Sequence, residues 1–334
     1  MKKYILYILV TLLTLPAMAN ESGGDGKVDV KEIIFGHLTD SYEWHIAGEA
    51  VLHLPCIVYS SERGLKVFMS DKLEHGREHE GYHIDAESGK IVNAAGVRPL
   101  DISITKNVLE LFFVCIILCV SVLSVAQWYR RNGYKKAPGG FVGMMETIVN
   151  FIDTDVSKAS IGHGYERFSP YLMTVFLFIL TCNLLGLVPV FPGGANLTGN
   201  IAITLTCAVT AFITINAFAP KGYYKDIFWP HVPLALKAIP LMPTIEFIGV
   251  FTKPFSLTVR LFANIMAGHI IILALTSIIF ITWQVGPSVG APMTVVSVLF
   301  CIFMNCLELL VAFIQAYVFT ILTANFIGLA QNTE

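Results

Sequence analysis

Charge is scarce in this chain of 334 residues: Asp, Glu, Lys and Arg supply 14% of it, against 55% hydrophobic residues. Soluble domains carry about 25% charged residues, so an ordinary soluble enzyme is excluded and a polytopic membrane protein is expected. Cysteine is sparse in any useful pattern. The seven thiols form no C-x-x-C pair and no metal-ligand spacing, and all but Cys56 fall in apolar runs, where a thiol acts as a small hydrophobe. A disulfide framework is therefore not expected. There is no phosphate-binding G-x-x-x-x-G-K-[ST] loop and no internal repeat, so the chain carries no nucleotide site of that kind. The net charge of −2 says little by itself, and no cofactor, metal or nucleic-acid partner is expected.

What is there begins with a targeting segment. Lys2 and Lys3 precede an apolar run over 4–15, and Ala17-Met18-Ala19 offers an A-x-A cleavage site, so residues 1–19 read as a secretory signal peptide. An uncleaved first span is the competing reading, for which the run is short. With cleavage, the mature N-terminus lies in the periplasm of a bacterium. Residues 20–105 are polar and mixed, with strand-like pieces AVLHLPCIVYS and LKVFMS, and read as a small extramembrane domain with β content. Residues 85–89 look like a hairpin turn between YHI and KIV. Nearby, His79-Glu80-Gly81-Tyr82-His83 matches the H-E-x-x-H pattern of zinc proteases. That chemistry needs both histidines on one helical face, and Gly76 and Gly81 are poor in a helix interior. A solvated polar loop is the simpler reading, and an anchored zinc hydrolase is the one it displaces.

Residues 106–334 form the membrane domain, with segments expected at about 108–128, 170–190, 201–219, 241–283 and 293–329. Arg130, Arg131, Lys135 and Lys136 follow the first segment, and Lys221, Lys225 and Lys237 follow the third. Such clusters mark the cytoplasmic side, whereas 191–200 and 286–292 carry no charge. The N-terminal domain then lies outside and the C-terminus in the cytoplasm, across a bacterial inner membrane. Residues 141–152 are amphipathic and suit the membrane surface, a re-entrant segment being the other option. The last two segments, about forty residues each, approach 60 Å at about 1.5 Å per residue. That is about twice the hydrocarbon thickness, so each has to tilt steeply or break, with Pro240 and Pro243 near the start of the fourth and Pro254 placed to kink it.

Charges inside these long runs call for explanation, because an ionisable group at that depth is a functional site by default. Glu246, Lys253 and Arg260 are seven apart, and at about 100° per residue they drift only about 20° per step, forming one stripe that Ser256 and Asn264 widen. His269, nine residues past Arg260, falls on the opposite face. No acid lies three or four residues from Arg260, so its charge has to be met by water, another helix or another subunit. Glu308 is the only acid in the last run, with Gln315 seven residues on and Asn305 three before. Helix-to-helix hydrogen bonding accounts for Asn305 as well as function does. For Glu308 a proton-handling pair with His269 is the stronger reading.

Residues 253–275, KPFSLTVRLFANIMAGHIIILAL, resemble the rotor-facing helix of subunit a of F-type ATP synthase, whose signature sets an arginine in SLxxRLFxNxxAG. Here it reads Ser256-Leu257, Arg260-Leu261-Phe262, Asn264 and Ala267-Gly268, and its second half is the run 308–315 within ELLVAFIQAYVF. The resemblance spans roughly residues 100 to 330. It implies an all-α polytopic membrane protein whose last two helices lie steeply inclined as a hairpin along the rotor. It also implies a stator subunit with no catalytic site of its own and no cofactor. The implied partners are the ring of subunit c, peripheral-stalk subunit b, the other ATP synthase subunits and membrane lipid. The implied mechanism passes a proton from the periplasm through a half-channel that includes Asn183, His269 and Glu308 to a ring carboxylate. After nearly a full turn the carboxylate releases it into a cytoplasmic half-channel near Glu246 and pairs with Arg260. Gln315 assists on the rotor-facing surface, and Ser256 and Asn264 line the path. In the family, an interacting acid and histidine occupy the positions of His269 and Glu308 in either order. One departure is that relatives often carry acids just after the asparagine of the second span, where this chain has Gly186 and Phe191. That leaves the periplasmic route open and makes the N-terminal domain a candidate contributor. The competing reading, a self-contained proton-coupled transporter, predicts paired repeats and a midplane site within one chain.

Overall fold

The computed structural model describes residues 40–47, 50–61, 64–85, 88–133, 136–188, 193–194, 196–228 and 241–331. The signal segment 1–19, Lys135, Phe191, Lys237 and Pro240 lie outside the described residues, as does the side chain of Glu246. The chain packs as two compact units. One comprises Met1–Phe113, Leu185–Leu197 and Gly268–Cys306; the other comprises Val114–Leu184, Thr198–Ala267 and Leu307–Glu334.

Among its described residues the first unit has seven short strands: β1 Glu43–Ala47, β2 Ala50–His53, β3 Pro55–Ser60, β4 Gly64–Met69, β5 Tyr82–Ile84, β6 Ile91–Asn93 and β7 Leu100–Asp101. They pair antiparallel as β1-β2, β4-β3-β7 and β5-β6. Alternation along β3 and β4 turns Cys56, Val58 and Phe68 inward, where they meet Tyr42, Leu73, Tyr82 and Ile91 in one small core. Burial pushes the Cys56 thiol up to about 12, which makes it an inert core group. The hairpin expected around 85–89 is β5–β6: Asp85 accepts from the Ser88 amide at 3.1 Å and its hydroxyl at 2.6 Å, and Gly89 takes φ +62. The H-E-x-x-H run is no helix. Glu80 and Gly81 have φ values of +52 and +78, and His79 bridges Tyr82 in a tight turn that feeds β5. The described residues contain no cluster of three metal-ligating side chains.

The helices are α1 Lys106–Asn132, α2 Gly140–Asn150, α3 Ser169–Gly186, α4 Ile201–Ala217, α5 Lys221–Phe228, α6 Leu241–Val285 and α7 Pro287–Gln331. Among the described residues, four of them (α1, α3, α6 and α7) are long and apolar enough to cross a membrane, and α4 is a shorter apolar helix of 17 residues. The fold is thus the expected polytopic helical protein with strands near its N-terminus. Helices α6 and α7 are 45 residues each and unbroken, with Pro254 and Pro292 inside them. The loop expected over 286–292 is therefore mostly helix. Proline is accepted in the first turn, where no N–H partner is needed. The Trp283 indole N–H donates to Thr294 at 2.9 Å, while Gly290 leaves room for its ring.

In the second unit, α2 runs on as a π-helix, Phe151–Lys158. The Ser169 hydroxyl at the start of α3 donates to Asp153 of that segment. The core gathers Ile152, Val156, Leu172, Phe176 and Ile179 with Leu257 and Leu261 of α6 and Ala316, Phe319 and Ile327 of α7. Helix α7 offers small residues on this side, which permit close backbone approach. The closest is at Gly328, where an added Cβ would lie 2.2 Å from the Ser160 carbonyl oxygen.

Candidate functional site

Helix α6 has one inward face and one outward face in its unit. Leu257, Leu261 and Ile265 follow the i, i+4, i+8 spacing and are buried. Ser256, Arg260 and Asn264 follow the same spacing one residue earlier and are exposed. Among the described residues Arg260 has no ion pair and no hydrogen-bonding partner. The guanidinium therefore stands on an outward surface flanked by Phe255 and Val259, themselves exposed. A permanent cation set in an apolar surface, with no counter-ion among the described residues, calls for water or a further charged group in front of it.

Lys253 leaves this surface, although its spacing puts it on the same stripe. It is half-buried, and its ammonium lies 5.2 Å from the ring centroid of Phe326 on α7, a cation–π contact that a flexible four-carbon stem can reach. Arg260 is thus the only cation on the outward stripe among the described residues of 250–268.

Helix α7 presents its polar residues the other way. Glu308 and Gln315 are 4% and 6% exposed, on the face that also carries Ala312, Ala316 and Phe319. Asn183 of α3 is buried there too, and its amide donates to the Ala312 carbonyl at 3.1 Å, one turn beyond Glu308. The three sequence-expected residues Asn183, Glu308 and Gln315 are thus enclosed along one helix. Asn305 is not among them, since its amide bonds back to the Cys301 carbonyl at 2.9 Å, a local structural role. His269 is half-buried and belongs to the first unit. Because α6 is continuous from Arg260 to His269, the two remain on opposite faces of it.

One buried acid escaped the sequence reading. Glu110, in the second turn of α1, has no exposed surface, and neither of its carboxylate oxygens takes a hydrogen bond among the described residues. Lys106 one turn before it is also buried. The start of this helix is pinned to the sheet domain: the Lys106 amide donates to the Ser41 carbonyl at 2.9 Å, and the Asn107 amide to Asp40 at 3.2 Å. The i, i+4 acid–base spacing was the available signal.

The family model described as ATP synthase A chain matches residues 111–328, a stretch that holds both polar stripes. The chain belongs to the ATP synthase A chain family. Among its relatives, a protein named ATP synthase subunit a from Chloroherpeton thalassium is 43% identical over 261 residues, covering 76% of this chain and 75% of its own length. ATP synthase subunit a 2 of Chlorobium luteolum is 52% identical over 70% of this chain and 67% of its own length. A subunit a from Chlorobium phaeobacteroides strain BS1 is 41% identical over 86% of this chain and 87% of its own length. Residues 33–108 match a separate model described as a domain of unknown function. Membership makes the chain a multi-pass membrane protein of the Fo sector, a non-catalytic stator component of proton translocation that works with other subunits of an ATP synthase.

Proposed function

We propose that this chain provides the two proton half-channels of an ATP synthase and the arginine that faces its rotating c-ring. The observation that carries this reading is the outward Arg260 on the apolar surface of α6, without an ion pair among the described residues. A guanidinium stays protonated and cannot relay a proton itself. Beside a carboxylate it favours the ionised form, so a ring carboxylate arriving in front of Arg260 gives up its proton there. The same fixed charge blocks direct proton passage between the two half-channels.

On the periplasmic side, Glu308 and His269 hand the proton to the ring carboxylate, with Asn183 lining the route. Enclosure of Glu308 and of Asn183 along α7 supports this role, since a half-channel has to be walled by the stator. Gln315 assists near the ring, Ser256 and Asn264 border the arginine, and Glu246 lies on the cytoplasmic exit. Peripheral-stalk subunit b and the c-ring are the partners. The N-terminal domain lies in the periplasm after cleavage of the signal over residues 1–19, the C-terminus lies in the cytoplasm, and α6 and α7 cross the bacterial inner membrane at a steep tilt. The test is proton pumping in membrane vesicles with assembled complexes. Arg260→Ala is expected to abolish coupled transport while the complex still assembles, and undiminished pumping would overturn the reading.

A further inference from the structure

The three-stranded sheet β4-β3-β7 has one face in the small core and one face open, and the open face is apolar but for one tyrosine hydroxyl. Its register defines three rows. Tyr59 stands opposite Leu65 and Leu100. Ile57 stands opposite Val67, and the Ile102 amide donates to the Ile57 carbonyl at 2.9 Å. Pro55 stands opposite Met69, and the Ile104 amide donates to the Pro55 carbonyl at 3.1 Å. Alternation puts all three rows on one side. Leu65, Val67, Leu100 and Ile102 are 61%, 64%, 61% and 58% exposed. The charged neighbours avoid this side: Lys66 pairs with Glu80 at 3.1 Å, and Asp101 accepts from the Ser103 amide at 2.9 Å. A contiguous apolar patch of this kind marks an interaction surface.

Its position along the chain selects the occupant. The row containing Ile104 ends two residues before Lys106, where the 27-residue apolar helix α1 begins. Helix α1 continues with exposed Phe112, Ile116, Val120 and Leu123. The apolar sheet face and the exposed face of a membrane-crossing helix are therefore consecutive in one chain. Among the described residues of the three rows the only polar side-chain atom is the Tyr59 hydroxyl, in the row most distant from α1, and tyrosine is enriched at the bilayer–water boundary. A surface evolved for a protein partner would carry a rim of hydrogen-bonding groups, and among the described residues the side chains of the three rows offer only that hydroxyl.

We propose that the open face of β4-β3-β7 seats the N-terminal domain on the lipid leaflet from which α1 enters the membrane. The proposal concerns the domain matched by the model of unknown function and does not depend on the proton path. A photoreactive benzophenone side chain placed at Val67 in the complete complex, irradiated in native membranes, is expected to form lipid adducts found by mass spectrometry. Yield at Val67 should exceed that at Lys66, whose side chain points to the other side, by about tenfold. The same group at Ile116 supplies the positive control. Lipid adducts at Ile116 with none at Val67 would overturn the proposal. So would a cross-link from Val67 to another subunit, a second copy or a different segment of this chain.

Discussion

Helix α6 leaves Arg260 exposed beside Ser256 and Asn264, whereas α7 buries Glu308 and Gln315 on the face that carries Ala312, Ala316 and Phe319. Both helices are 45 residues long and both carry polar residues at seven-residue steps, yet the stripes point in opposite senses within their own chain. The difference follows the chemistry of the groups. A carboxyl can become neutral when water is removed, so the fold can enclose it. A guanidinium cannot, and enclosing it without a counter-ion is expensive. The permanent charge is left exposed, and the titratable group is walled in by the chain.

The strongest way to break this comparison is to remove each charge in turn. Arg260→Ala should bring coupled pumping to background in assembled complexes, and Arg260→Lys should recover little of it, because a compact ammonium lacks the planar fork. Next comes Glu308→Gln, which should lower ATP-driven proton pumping by about a hundredfold or more, the range for loss of a positioned proton carrier. Exchanging His269 and Glu308 should restore part of what Glu308→His alone removes, measured by dye-quench in vesicles. Failure of the double exchange to exceed either single variant would disconnect the pair.

A packing contrast sharpens the same division between enclosed and open faces. Gly328→Ala places a carbon against the Ser160 carbonyl oxygen and should destabilise the protein by about 1–3 kcal/mol. Gly249→Ala meets nothing within 4 Å and should be neutral or stabilising by up to about 1 kcal/mol. Thermal unfolding of the detergent-solubilised complex separates the two. The smallest effect belongs to Asn264→Ala and Ser256→Ala, which keep the charge and should change pumping by no more than about threefold.

Much of this was readable from the sequence, and the limits have physical causes. The β5–β6 hairpin announced itself through Asp85 and Gly89 between the strand-like triplets YHI and KIV, because turn chemistry is local. Stripe membership was also legible from spacing, but the direction of each stripe was not. Periodicity fixes which residues share a face and leaves open which face meets the core. Lys253 shows a further limit, since its long side chain turns to Phe326 despite its register with Arg260. The start of α7 at Pro287 was hidden because Gly286-Pro287-Ser288 reads as a turn, while Trp283 and Thr294 hold that corner helical. Glu110 was hidden because it lies near the polar end of an apolar run, where a carboxylate ordinarily finds water.

The central claim is that the open stripe of α6 faces the rotor, and disulfide cross-linking tests it most directly. Cysteine replaces Asn264 on the exposed face or Ile265 on the buried one, with a second cysteine in the ring helix beside its carboxylate, and oxidation is carried out in complexes that pump protons. The account predicts a cross-linked product with Asn264→Cys and none with Ile265→Cys. No product at Asn264, or equal product at both positions, would contradict it.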